Sequence, residues 1–172
     1  MIIVEVPYND EVRKAVWNAF KVSIEEKHGE NGSEGLRGEQ NALNLLEENF
    51  DFKVIYDHSK DVIGQLYGVD FTCINPSIKP ITVDAKSGRS NLYYDRNEQY
   101  WYITLRDDIF NPRKINSHVM HIGPKGDLYA FYEKEKMDEF RKKSARLIKD
   151  GNGYRLKVKD FPDFVQHNVR VW

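Results

Sequence analysis

Two short apolar runs of this chain carry charges where charges are hardest to place. The first, LYGVDFTCI at 66–74, contains Asp70; the second, ITVDAK at 81–86, contains Asp84 and Lys86. Asn75-Pro76 and Lys79-Pro80 lie between them and mark a turn. Two β-rich runs joined by so short a connection are predicted to pair as a hairpin. Side chains alternate between faces along a strand, so Asp84 and Lys86 share one face, and the hairpin sets Asp70 beside Asp84. A charge buried among residues such as Phe71, Ile74, Ile81 and Val83 is tolerated only when something compensates it. Two carboxylates and an ammonium gathered at one point suit a hard, oxygen-seeking cation such as magnesium, which is satisfied by one or two carboxylates plus water and phosphate. Such a cation lowers the pKa of a bound water and screens charge at phosphorus. A nearby lysine can orient that water, act as base if its pKa is depressed, or stabilise the transition state.

The rest of the chain reads as an α/β or α+β domain with helices on a central mixed sheet. Residues 10–27 have helical spacing at Val12, Val16, Ala19, Phe20 and Ile24. The polar, glycine-rich 28–35 is predicted to be a linker, followed by a helix over 36–49 with Ala42, Leu43, Leu45 and Leu46 on its apolar face. Strands are predicted at 52–58, 66–74 and 81–86, then at 117–122 and 127–133 around the turn Pro124-Lys125-Gly126, and last at 154–158. The aromatic stretch 91–105 suits strand or helix. A basic amphipathic helix is predicted over 133–149. The boundaries are residues 1–35 as a helical extension and linker, and 36–172 as the functional domain.

Composition narrows the class. With 172 residues, 40% hydrophobic and 13% aromatic, the chain is long enough for one core and unlike a disordered tail. No apolar run approaches the length of a membrane span, and the N-terminal residues do not resemble a signal peptide. Cys73 is the single cysteine, which excludes an internal disulfide and cysteine-rich metal sites and points to a reducing, cytoplasmic setting. The net charge of −1 hides an asymmetry. Residues 1–70 hold 14 acidic and 7 basic side chains, whereas residues 111–159 hold 13 basic and 6 acidic ones. A polyanion would prefer the second half. Arg141, Lys142 and Arg146 of the basic helix either follow a DNA backbone or belong to a solvated helix laced with charge pairs. Arg89 and Ser90, in a glycine-containing loop after Lys86, can touch a phosphate or simply face solvent. His118 and His121, three apart in a strand, point to opposite faces and do not share a metal.

The arrangement Asp70, then Asp84-Ala85-Lys86, resembles the PD-(D/E)XK nuclease superfamily, with Val69 in place of proline. Arg37-Gly38-Glu39 at the predicted start of a helix is similar to archaeal-type Holliday junction resolvases, in which a glutamate there completes the metal site. Its expected place in a first helical turn beside a glycine also leaves room for a metal or phosphate, although Glu34, Glu47 and Glu48 compete. Downstream, KSGRSNLYYDRNEQ resembles the same family. The resemblance spans about residues 36–132. It implies a restriction-endonuclease-like core, a metal site of Asp70, Asp84 and Glu39 holding magnesium (or manganese), Lys86 as the catalytic lysine, Arg37 and Gln99 as lesser DNA-contacting residues, and a homodimer acting on DNA. Restriction-type and phage nucleases share the core motif equally, and a DNA-binding module without turnover is a third reading. Trp17, Phe20 and the aromatics of 93–103 add to the expectation of a homodimer, since one small domain has limited room to bury them.

Overall fold

A computed structural model describes residues 30–58, 64, 66–88, 91–126, 128–143, 148–149 and 153–158. The predicted helix at 10–27, with Trp17 and Phe20, lies outside the described residues. Helix α1 spans Glu30–Asn49. It begins within the stretch expected to be a linker, so the boundary drawn at 35/36 falls inside a continuous helix. Extending a helix fixes one residue per hydrogen bond gained, whereas nucleating one fixes several for the first bond. A helix already pinned by its packing can therefore absorb Gly35, which has nothing around it for a Cβ to meet. The Asn49 amide closes the last turn on the Leu45 carbonyl at 2.9 Å.

Strands β1 (Val54–Asp57), β2 (Phe71–Ile74), β3 (Ile81–Lys86), β6 (His118–Ile122) and β7 (Tyr129–Glu133) form a five-stranded mixed sheet in the order β1-β2-β3-β6-β7. The expected hairpins are present: β2 pairs antiparallel with β3 and β6 with β7, while β3 and β6 run parallel. Strand β2 is shorter than the run 66–74 suggested. Leu66 is helical, and the chain turns at Tyr67-Gly68, where Gly68 takes a positive φ of 67°. The ambiguous stretch resolves into strands β4 (Leu92–Asp95) and β5 (Tyr100–Arg106), followed by a 3-10 turn at Asp107–Phe110. They join β9 (Gly153–Lys157) and β8 (Ile148–Lys149) in a second sheet ordered β4-β5-β9-β8. The basic helix, α2, covers only Lys134–Lys143, and Lys149, expected to be helical, lies in β8.

Among the described residues the central sheet has α1 on one face and the second sheet, with Met137 of α2 beside it, on the other. On the first face, Ala42, Leu45 and Leu46 of α1 pack on Phe71, Cys73, Val83, Met120, Ile122, Tyr129 and Phe131. Each such leucine contributes roughly 2 kcal/mol by leaving water. On the second face, Val119, Ala130 and Tyr132 meet Leu92, Ile103, Leu105 and Leu156, with Ile109 and Met137 filling the rim. Tyr102 and Ile103 are buried and Trp101 packs against this core, so the chain's own second sheet takes up much of the aromatic run read as an interface. Among the described residues no helix is long and apolar enough to cross a membrane.

Candidate active site

The second face of β3 carries the charges. The register aligns Asp84 with Val119 and then Tyr132, and Lys86 with His121 and then Ala130. Asp84 is 2% exposed and Asp70 7%. Asp70 stands one residue before β2, where the regular ladder stops. Its N–H donates to the Val83 carbonyl at 2.9 Å, and its Oδ2 accepts the Ala85 N–H at 2.7 Å. Ala85 lies between Asp84 and Lys86, so the carboxylate of the first motif takes the place of a ladder bond to the second. The hairpin brings Asp70, Asp84 and Lys86 together as their spacing predicts.

Asp84 is neutralised from two sides. Lys86 Nζ lies 2.8 Å from its Oδ1, the distance of a strong charge-assisted bond. Lys114 Nζ lies 3.4 Å from its Oδ2 and 3.3 Å from Asp108 Oδ2. Burial acts to lower the Lys86 pKa, but the charge and hydrogen bond of Asp84, helped by Asp70 and Asp108, outweigh it and hold the ammonium above its ordinary value. Lys86 is therefore a fixed cation here, a state suited to orienting groups and stabilising charge.

Glu39 sits deeper in its helix than expected, nine residues after Glu30, so no helix N-terminal dipole acts on it. The neighbouring glycine also has a different purpose. A Cβ on Gly38 would run into the Ser87 side chain, so the glycine lets α1 approach the end of β3. That approach carries Glu39 into the acidic cluster. Burial and the charges of Asp70, Asp57 and Asp84 raise its pKa to about 8, against a smaller opposing effect of Lys86. Among the described residues no three His, Cys, Asp or Glu side chains are gathered at the spacing of a preformed metal site. The donor set nevertheless fits a hard divalent cation. It consists of carboxylates of which one, Glu39, is kept protonated near neutrality first by burial and then by its acidic neighbours, and a bound cation would offset both effects.

His121 is fully buried behind Lys86. Its Nε2 pairs with the Tyr132 hydroxyl at 2.7 Å, and its Nδ1 is buried without a hydrogen-bond partner. Burial, with the Lys86 charge, lowers its pKa to about 3, so the ring is neutral. Burial and the charge of Asp84 raise the Tyr132 pKa well above its ordinary value. His118 lies on the other face, stacked on Phe131 with centroids 5.1 Å apart, as alternation predicts.

The other candidate residues are more scattered. Arg37 is exposed on α1. Gln99 is exposed in the β4–β5 turn in a left-handed conformation, φ 58°, which is a turn role. Arg141 is bound to Asp138 at 2.8 Å and lies over the Phe110 ring, and Lys142 pairs with Asp138 at 2.6 Å. These belong to the charge-paired helix that was one of the two readings of this segment. Arg89, Ser90 and Arg146 lie outside the described residues. Sequence reasoning missed Lys114, Asp108 and Asp57. The first two follow no periodic pattern, and Asp57 is the last residue of an edge strand. No protein family, curated protein or solved structure matches this chain.

Proposed function

We propose that this protein is a metal-dependent deoxyribonuclease with PD-(D/E)XK chemistry on a variant of the restriction-endonuclease-like core. The observation that carries the reading is the bond from the Asp70 carboxylate to the Ala85 N–H, which joins the two halves of the motif beside Asp84 and Lys86. Asp70, Asp84 and Glu39 would hold magnesium or manganese, which supplies an activated water and neutralises charge on the phosphate. Glu39 holds a proton up to about pH 8, so cation binding is coupled to its release. Lys86, kept cationic by Asp84, would donate a hydrogen bond and stabilise charge developing on phosphate oxygens. The buried His121–Tyr132 pair backs Lys86 with neutral groups and limits its room to turn away from Asp84.

The substrate is DNA, with branched structures such as four-way junctions favoured by the resemblance to resolvases and a homodimer as the working form. Cleavage of a four-way junction, a flap, a linear duplex and a single strand, each with magnesium, with manganese and with EDTA, tests this reading. Metal-dependent cutting that disappears in Asp84→Asn is expected. Binding to DNA without cutting under every condition would favour the binding-module reading instead.

A further inference from the structure

The backbone of Lys114 is fixed beside the acidic cluster. Its carbonyl accepts the Lys134 ammonium at 2.9 Å, and its N–H donates to the Asn111 carbonyl at 2.9 Å. The next residue, Ile115, donates its N–H to the Tyr67 carbonyl at 3.0 Å, tying this loop to the turn before Asp70. The aliphatic stem lies across Gly68. A Cβ there would stand 2.8 Å from Lys114 Cγ and Cδ, and the positive φ of Gly68 already disfavours any other residue. The glycine of Gly68-Val69-Asp70 therefore makes a channel for this lysine.

The two lysines on Asp84 are not equivalent. Lys86 is bound at 2.8 Å, within the range of a strong charge-assisted bond, whereas Lys114 divides itself between Asp84 at 3.4 Å and Asp108 at 3.3 Å. Asp108 is 54% exposed, so it can keep the ammonium at the solvent edge if Asp84 is needed elsewhere. We infer that Lys114 is a displaceable cation that competes with a divalent metal for Asp84 Oδ2 and retires to Asp108 when it yields, so that the Lys114–Asp108 pair sets the metal affinity of the site. The inference rests on the metal-dependent reading above.

Manganese binding to the full chain, followed by the electron paramagnetic resonance of free Mn2+ at neutral pH, tests it. Lys114→Met removes the competitor and should bind Mn2+ about tenfold more tightly than the wild type. Asp108→Asn removes the alternative partner and should weaken binding roughly threefold, an exposed charge having a smaller effect. The two must not add. In the Lys114→Met background, Asp108→Asn should weaken binding less than it does in the wild type, because the part of its influence that passes through the lysine is gone and only its direct charge on the cluster remains. Unchanged or weaker binding by Lys114→Met, or equal weakening by Asp108→Asn in both backgrounds, overturns the inference. If Lys114→Met does not fold, Asp108→Asn alone decides, and unchanged or tighter binding by it is the refuting result. Wild-type binding that Glu39→Gln abolishes but Lys114→Met leaves unaltered would sink only the role of Lys114. No Mn2+ binding by either the wild type or Lys114→Met would sink the metal-dependent reading, and this inference with it.

Discussion

Replacing Glu39 with glutamine is expected to stabilise the protein at pH 8 and, on the proposed function, to remove metal binding. The folded state holds the Glu39 proton up to about pH 8, whereas the unfolded chain releases it near 4.5. Between those values the folded protein binds the extra proton, so the Glu39 contribution to stability is fully present below pH 4.5 and is lost as pH rises through 8. Each pH unit of that interval is worth ~1.4 kcal/mol. The whole interval would give about 5 kcal/mol, but the side chain is largely rather than fully buried and water screens its neighbours, which brings the expected loss to on the order of 2–3 kcal/mol. Glutamine keeps the shape and has no proton to lose. Urea unfolding followed by tryptophan fluorescence from pH 6.5 to 9 in EDTA, above the range in which His121 changes stability, should show the wild type weakening toward pH 8 and Glu39→Gln remaining nearly level. The difference at pH 8 corresponds to roughly 5–10 °C in Tm for a chain of this size. Magnesium should restore the wild type at pH 8 and leave the variant unchanged. Parallel pH profiles for the two proteins in EDTA would refute the electrostatic account of the cluster.

Four other outcomes follow from the same geometry. His121 is neutral down to about pH 3, against 6.5 when unfolded, so it contributes stability above pH 6.5 that is lost as pH falls toward 3; His121→Leu should cost about 1–3 kcal/mol at pH 7 through the stranded Tyr132 hydroxyl, yet flatten the acid side of the urea-midpoint profile. Asp70→Asn and Asp84→Asn should abolish cleavage with the circular dichroism unchanged and leave DNA binding, measured by fluorescence anisotropy in EDTA, equal or tighter, because a negative charge near phosphate is gone; retained cleavage in either variant would remove that aspartate from the site. Gly38→Ala should destabilise by about 1–3 kcal/mol in urea titrations, since the added methyl meets Ser87 and pushes α1 off β3. Light scattering at micromolar concentration should give the mass of a dimer; a constant monomer mass with full cleavage activity would end the dimer proposal and with it most of the case for a four-way junction as substrate.

The hairpin and its charges were legible from local sequence alone. Asn75-Pro76 and Lys79-Pro80 force the turn, strand alternation puts Asp84 and Lys86 on one face, and the pairing of β2 with β3 brings Asp70 alongside. These are local effects, acting over a few residues. The apolar face of α1 at Ala42, Leu45 and Leu46 was legible for the same reason. The start of α1 was not, because glycines that favour a loop in isolation are carried along by a helix pinned elsewhere. Composition could not tell whether 91–105 would be helix or strand either; that was decided by the apolar side chains of β6 and β7 still needing cover, which β5 and β9 provide. In the sequence Gly38 reads as room for a metal or phosphate and Gly68 carries no visible purpose. Each acquires its purpose only when a distant residue, Ser87 or Lys114, arrives against it. The raised pKa of Glu39, the buried His121 and the sharing of Lys114 between Asp84 and Asp108 likewise depend on charges from separate segments meeting in a low-dielectric interior. Such meetings are set by long-range packing, which spacing along the chain does not encode.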